Sequence, residues 1–226
     1  MSQEKIWDYF QNEGVNAFAD ATPRYDFLAK RIAGSLTMGA CVLNIGAGSG
    51  HFELLLKRMG FVVSTLDPSE RAIERLRQEG IDGRVGFAEQ LPFDVGTFDA
   101  VIASEVLEHL DEKQCELALS EIARVLRADG LFIGTVPFNE KLADGTTVCP
   151  ECGHRFHRWG HRRTFASEGL ASLLGSRFRI GSISTRSFVP WGGGLRRFLK
   201  SLSRWILGRM GEQAAVPHLY FECRAL

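Results

Sequence analysis

Apolar residues in this chain alternate between short unbroken runs and stripes at three-to-four spacing, the pattern of buried strands joined by amphipathic helices. The run Cys41–Ile45 enters a glycine-rich turn; His51–Met59 then sets Phe52, Leu55, Leu56 and Met59 on one helical face, and Gly60 ends the helix. The run Phe61–Leu66 leads to Asp67, Pro68 and Ser69 open a second helix, and Ala72, Ile73 and Leu76 share its inner face before Gly80. Val85–Ala88 and Ala100–Ala103 predict two further buried strands. Helix Glu112–Arg127 carries Cys115, Leu119, Ile122, Val125 and Leu126 on one side, and Gly130 closes it before the strand Leu131–Val136. Such regular alternation predicts an α/β fold, doubly wound, with a mostly parallel sheet covered by helices on both faces.

Outside this frame the pattern is less regular. The first forty residues read as a helical cap, with Phe27, Leu28, Arg31 and Ile32 leading into the first strand. Residues 139–163 form a polar insertion rich in Cys and His. A short helix Phe165–Leu174 follows, then strands Phe178–Val189 and His218–Arg224. Between those strands, within an insertion at 190–213, Leu195–Met210 predicts a basic amphipathic helix with Leu195, Phe198, Leu199, Leu202, Trp205 and Ile206 on its apolar side. No repeat or linker divides the chain, so residues 1–226 are expected to form a single domain.

Composition adds little except by exclusion. Hydrophobic residues make up 45% and charged residues 24%, and 27 Lys+Arg balance 27 Asp+Glu, as in a soluble globular protein. Zero net charge argues against a large phosphate footprint and hence against nucleic acid as partner. No apolar run approaches the roughly 18 residues of a membrane span, and the N-terminus lacks a signal-peptide pattern, so the expected location is cytoplasmic. Five cysteines, two of them in a CxxC, suit reduced thiols and a metal better than a disulfide framework.

The chemistry begins at the first turn. In VLNIGAGSG, Gly46, Gly48 and Gly50 stand where a strand bends into a helix, letting backbone approach a ligand that a Cβ would obstruct. Asp67 ends the next strand, where nucleotide-binding folds place an acid on ribose hydroxyls. A dinucleotide fingerprint would need glycine where His51 stands, which disfavours NAD.

With these residues the chain resembles the class I S-adenosylmethionine-dependent methyltransferases. The resemblance runs over about residues 40–137: VLNIGAGSG, Asp67-Pro68-Ser69, Ala88-Glu89-Gln90-Leu91-Pro92-Phe93, Phe98-Asp99-Ala100-Val101, Glu105–Leu110 and Val125–Gly130 occur in the family's order. It implies a seven-stranded Rossmann-like sheet with an antiparallel last strand. It also implies a cofactor site in which Asn44, Gly46, Ala47, Gly48 and Gly50 surround the methionine and ribose, and Asp67 and Pro68 hold the ribose end. Ala88, Glu89 and Gln90 would reach the adenine, and Ala103 and Ser104 would pass under the sulfonium. One departure is Asn44, where the family carries an acid.

Two clusters could hold metal. Glu105, Glu108 and His109 form an ExxEH resembling that of ubiquinone-synthesis catechol O-methyltransferases and small-RNA methyltransferases, where a later histidine completes a divalent site; His161 stands at that place here. Without metal, His109 is the candidate general base, Glu105 and Glu108 serving beside it. The second cluster, CPECGHRFHRWGH, offers Cys149, Cys152, His157 and His161 at tetrahedral zinc spacing, with His154 in reserve, and predicts a structural zinc that folds the 139–163 insertion over the substrate mouth. Both clusters claim His161.

The expected function is O-methylation of a small-molecule, glycan or lipid-linked precursor. Arginines after Arg155 suit an anionic acceptor, and the 195–210 helix suits peripheral membrane contact. Two competing readings are a non-catalytic zinc-knuckle module on a degenerate fold, prompted by Asn44, and a nucleic-acid methyltransferase, prompted by the knuckle and the arginines.

Overall fold

Strands buried on both faces need no polar alternation, and the central strands here have none. A computed structural model describes residues 4–12, 21–188, 203 and 217–226. Its elements are α1 (Glu4–Asn12), α2 (Thr22–Ser35), β1 (Cys41–Ile45), α3 (His51–Arg58), β2 (Val62–Asp67), α4 (Glu70–Gln78), β3 (Asp82–Val85), β4 (Phe98–Ser104), α5 (Glu112–Val125), β5 (Leu126–Pro137), β6 (Thr146–Val148), β7 (Arg155–His157), α6 (Ser167–Gly175), β8 (Phe178–Arg186) and β9 (His218–Ala225). Seven strands form one sheet in the order β3-β2-β1-β4-β5-β9-β8. β3 to β5 run parallel, and β9 lies antiparallel between β5 and β8. The mostly parallel, doubly wound sheet expected from the sequence is present.

Alternate residues of each strand feed two separate cores. Leu43, Val101, Ala103 and Phe132 pack toward α5 and α6, meeting Cys115, Leu119, Ile122, Leu170 and Leu174. Val42, Ala100, Ile102 and Ile133 point the other way and pack with Leu28 and Ile32 of α2, Phe52 and Leu56 of α3, and Leu76 of α4. Burying a side chain such as Leu28 or Ile32 stabilises the fold by about 1.5–3 kcal/mol, so this face anchors α2 to the sheet. Gly134 allows β4 and β5 to sit together at the centre, since a Cβ there would fall 2.0 Å from the Ala103 carbonyl oxygen.

Several boundaries differ from the sequence reading. The third strand is Asp82–Val85, not Val85–Ala88; it is an edge strand with only Gly83 buried, so it carries no apolar run to signal it. Residues 87–90 instead form a turn at the strand ends. Helix α5 stops at Val125 and β5 begins at once, leaving Gly130 within the strand. The 139–163 insertion holds a hairpin, β6 paired antiparallel with β7, whose three-residue strands are too short for alternation to register. The predicted helix at 195–210 and most of the 190–213 insertion lie outside the described residues. Among the described residues, no helix is long and apolar enough to cross a membrane.

Candidate active site

The carboxyl ends of β1, β2 and β4 open onto a cavity of about 530 Å³. In an open parallel sheet this edge collects the helix starts and strand-end loops, so ligand sites form there. Gly46 has φ 90° and Gly50 has φ 81°. A Cβ on Gly46 would press on Val106 at 3.1 Å, so glycine keeps this wall of the cavity open.

Asp67 closes β2 at 1% exposure. Its Oδ2 accepts from the Ala47 backbone N–H at 2.7 Å and from Gln11 Nε2 at 3.1 Å, and its Oδ1 from the Ser69 N–H at 2.8 Å. Burial raises its pKa while these backbone donors oppose the rise. Gly46, Gly48, Asp67, Pro68, Ala88, Glu89 and Ser104 line the cavity; Asn44, Ala47, Gly50, Gln90 and Ala103 do not. Glu89 accepts from Gln114 Nε2 at 2.5 Å, which fixes it at the rim.

Behind the turn, Asn44 donates to the Gly46 carbonyl at 2.9 Å and to Glu53 Oε1 at 2.7 Å. Glu53 is wholly buried and also accepts from Thr65 Oγ1 at 3.0 Å, while its Oε2 has no hydrogen-bond partner. Burial pushes its pKa up to about 7, against the hydrogen bonds from Asn44 and Thr65. An acid therefore does stand beneath the glycine turn, supplied by α3 instead of β1. Sequence reading missed it because Glu53 sits where a helix would show solvent.

At the far end, the ExxEH residues separate. Glu105 has a left-handed backbone, φ 59°, its N–H bonded to the Thr135 carbonyl. It turns to His218 Nε2 at 3.4 Å and Arg24 at 4.0 Å; although burial acts the other way, His218 and Arg24 hold its carboxyl well below the usual range. Glu105 thus leaves the cluster expected with Glu108 and His109. Glu108 is fully buried, both its carboxylate oxygens lack a hydrogen-bond partner, and burial followed by the charge of Glu105 raises its pKa well above normal.

His109 is packed edge-on against Trp7 and His161, with ring centroids 5.1 and 4.8 Å away. Burial, with His161 beside it, lowers its pKa to about 3. Such a nitrogen is a poor proton acceptor near neutral pH. Its ring bonds to the Gly160 backbone, and Nδ1 is left buried without a partner.

The insertion reaches this end through its backbone. Arg162 and Arg163 N–H groups both donate to the Glu108 carbonyl, at 2.8 and 3.2 Å. His161 lines the cavity with Trp159 and Arg162, and its Nδ1 meets Glu140 Oε2 at 2.5 Å. The four predicted zinc ligands are not assembled. Among the described residues the candidate ligand groups are Glu108–His109–His161 and Glu140–His157–His161, each with its ligand atoms within 4.8 Å of one another; neither includes a cysteine. The reason is the hairpin: His157 pairs with Thr146 at its base, whereas the Val148–Arg155 pair is already about 7 Å further along at roughly 3.4 Å per residue, and Cys149 and Cys152 lie beyond it at the tip.

Sequence reasoning also missed Trp7, Gln11, Arg24 and Tyr25, which line the cavity from α1 and α2. No spacing rule marks them, because they reach the site by packing across it.

Comparison with known proteins agrees with this architecture. A methyltransferase-domain family profile matches residues 43–134. The ubiquinone biosynthesis O-methyltransferase of Xanthomonas oryzae pv. oryzae is 31% identical over 180 residues, covering 74% of this chain and 73% of that protein. That of Rhizobium leguminosarum bv. trifolii is 34% identical over 139 residues, or 58% of this chain; the chain spans about half of that relative's length, 53%. Burkholderia thailandensis 1,6-didemethyltoxoflavin-N1-methyltransferase, solved with S-adenosylhomocysteine, shares the fold at a TM-score of 0.70 and 18% identity, over 99% of this chain and 86% of that one. Glycine turn, strand-end acid, sheet order and relatives together make this chain a member of the class I S-adenosylmethionine-dependent methyltransferases.

Proposed function

We propose that the protein transfers the methyl group of S-adenosylmethionine to a hydroxyl oxygen of a small-molecule acceptor. The observation that carries this reading is that one cavity joins the glycine turn and Asp67 at one end to His109 and His161 at the other, with Glu108 buried behind them. The ubiquinone biosynthesis relatives, named as O-methyltransferases, support oxygen as the atom methylated.

In this reading Asp67 accepts from the ribose hydroxyls and Ala88 and Glu89 border the adenine. Trp7 and Trp159 close the acceptor end and exclude water. Methyl transfer forms the oxygen–carbon bond as the carbon–sulfur bond breaks, and holding the two in line supplies much of the rate. The hydroxyl proton passes to the ring nitrogen of His161 opposite Glu140. Arg24 and Arg162 at this end suit an acceptor carrying negative charge.

Glu108, His109 and His161 also fit a divalent ion. Each of the three places one ligand atom within 4.8 Å of the others, and both Glu108 carboxylate oxygens and His109 Nδ1 are buried without hydrogen-bond partners. An ion bound there would lower the pKa of the acceptor hydroxyl, with His161 as its ligand. The buried Glu53 beside Asn44 argues against the degenerate reading, since an acid is retained beneath the turn.

Calorimetric titration with S-adenosylhomocysteine tests the cofactor half, with one-to-one binding expected. Incubation with labelled S-adenosylmethionine and a panel of phenols, catechols and hydroxy acids tests the rest. Cofactor binding with transfer only to amines would overturn the oxygen assignment; no binding would overturn the enzyme reading.

A further inference from the structure

The Cys149–Cys152 pair takes no part in the cavity. It sits at the tip of the β6–β7 hairpin, closed by the Cys149 N–H to the His154 carbonyl at 2.8 Å and the Gly153 N–H to the Cys149 carbonyl at 2.9 Å. Cys149 is half-buried and Cys152 exposed. Two cysteines carried on one tight turn offer half of a tetrahedral thiolate site.

Among the described residues, no cysteine or histidine is gathered with this pair to complete it. All five cysteines and six histidines of the sequence lie among the described residues. Cys115 and Cys223 are buried in the core and Cys41 belongs to β1. His51 stacks on Tyr25, His218 faces Glu105, His109 lines the cavity and His154 stacks over Phe156. His157 and His161 are gathered around Glu140. Among the described residues, neither thiol belongs to any group of three potential ligands.

We propose that a zinc ion binds at this hairpin tip between two copies of the chain, each contributing Cys149 and Cys152, so that a four-thiolate site joins them across a two-fold axis. A two-fold contact uses the same surface twice, so an exposed pair of soft ligands on one copy meets its own complement on the other. Val148, 54% exposed beside Cys149, gives that contact an apolar flank. On binding, each thiol gives up its proton to solvent and keeps its electron pair for the metal; no oxidation is involved. The site stands apart from the proposed methyl transfer and does not depend on it.

The test uses the full chain, reduced and equilibrated with zinc. The difference in zinc content between wild type and Cys149→Ser is expected to be about half an ion per chain, as a shared four-thiolate site requires. Light scattering should give a dimer that becomes a monomer with chelator, with Cys149→Ser or with Cys152→Ser, while the melting transition is retained. His157→Gln should keep the dimer. Cobalt(II) in place of zinc should show thiolate-to-metal charge-transfer absorption in wild type and not in Cys149→Ser. One whole cysteine-dependent zinc in a monomer, lost in His157→Gln, would overturn the proposal in favour of a site within one chain. No cysteine-dependent zinc, a dimer that survives chelation, or thiols found only as an internal disulfide would overturn it outright.

Discussion

His161 and Glu140 meet through Nδ1 and Oε2 at 2.5 Å, and the second oxygen of the same carboxylate faces His157 Nε2 at 3.6 Å. The His161 backbone N–H donates to His157 Nδ1 at 3.1 Å, so His157 carries its ring proton on Nε2, toward Glu140. The carboxylate in turn holds the His161 proton on Nδ1, leaving Nε2 without a proton. A partner of this kind fixes both tautomer and ring orientation, whether that nitrogen meets a proton or a metal. Glu140→Ala is therefore expected to lower kcat roughly 10- to 100-fold with little change in S-adenosylhomocysteine affinity. Glu140→Gln, which can still accept from Nδ1–H, should recover part of the loss. Nitrogen-15 shifts of the His161 ring should report the Nδ1–H form in wild type and a mixture in Glu140→Ala; an unchanged ring signal would sink the assignment.

Asp67 is the cofactor test. Asp67→Asn keeps the shape and one acceptor oxygen but loses the charge that strengthens hydrogen bonds to ribose hydroxyls, at about 1.5–3 kcal/mol each. S-adenosylhomocysteine should bind roughly 10- to 150-fold more weakly, measured by titration calorimetry. Equal affinity would mean that Asp67 only braces the glycine turn through Ala47 and Ser69.

Glu53 makes stability depend on pH. Its pKa rises from 4.5 to about 7 on folding, so between these values the folded chain binds a proton that the unfolded chain does not. The stabilisation is complete below pH 4.5 and is lost as pH rises through about 7. The change amounts to about 3 kcal/mol, since each tenfold gain in proton affinity is worth about 1.4 kcal/mol. Glu53→Gln, which cannot ionise, should flatten the denaturation midpoint across this window and exceed wild type in stability at pH 8. A wild-type slope unaltered by the substitution would place the titration elsewhere.

Gly134 tests the close packing at the middle of the sheet. Gly134→Ala would set a methyl 2.0 Å from the Ala103 carbonyl oxygen and 2.6 Å from the Phe221 ring, forcing β4, β5 and β9 apart. Overpacking of this kind costs about 1–3 kcal/mol and sometimes more. Urea unfolding should show a loss at the upper end of that range, whereas a neutral result would mean the strands can shift.

The features legible in the sequence are those whose information is local. Runs and stripes of apolar residues define β1, α3, β2, α4 and α5 because burial acts on each element's own periodicity, and the edge strand β3 escapes such a reading because only Gly83 of it is buried. The glycine turn and Asp67 can be read because each must occupy one end of one strand. What spacing cannot decide is which side chains meet across the fold. Glu105 and Glu108 stand three residues apart in the sequence, yet Glu105 is drawn to Arg24 and His218, which come from α2 and β9. His161 is drawn to Glu140 and away from the cysteines by the hairpin between them. Glu53 replaces an acid missing from β1 because α3 lies against that strand end, and Trp7 reaches His109 because α1 covers the cavity. A buried charge must find a partner, or a proton, wherever the tertiary structure offers one. The choice among possible partners therefore belongs to packing, while the sequence alone determines the elements that do the packing.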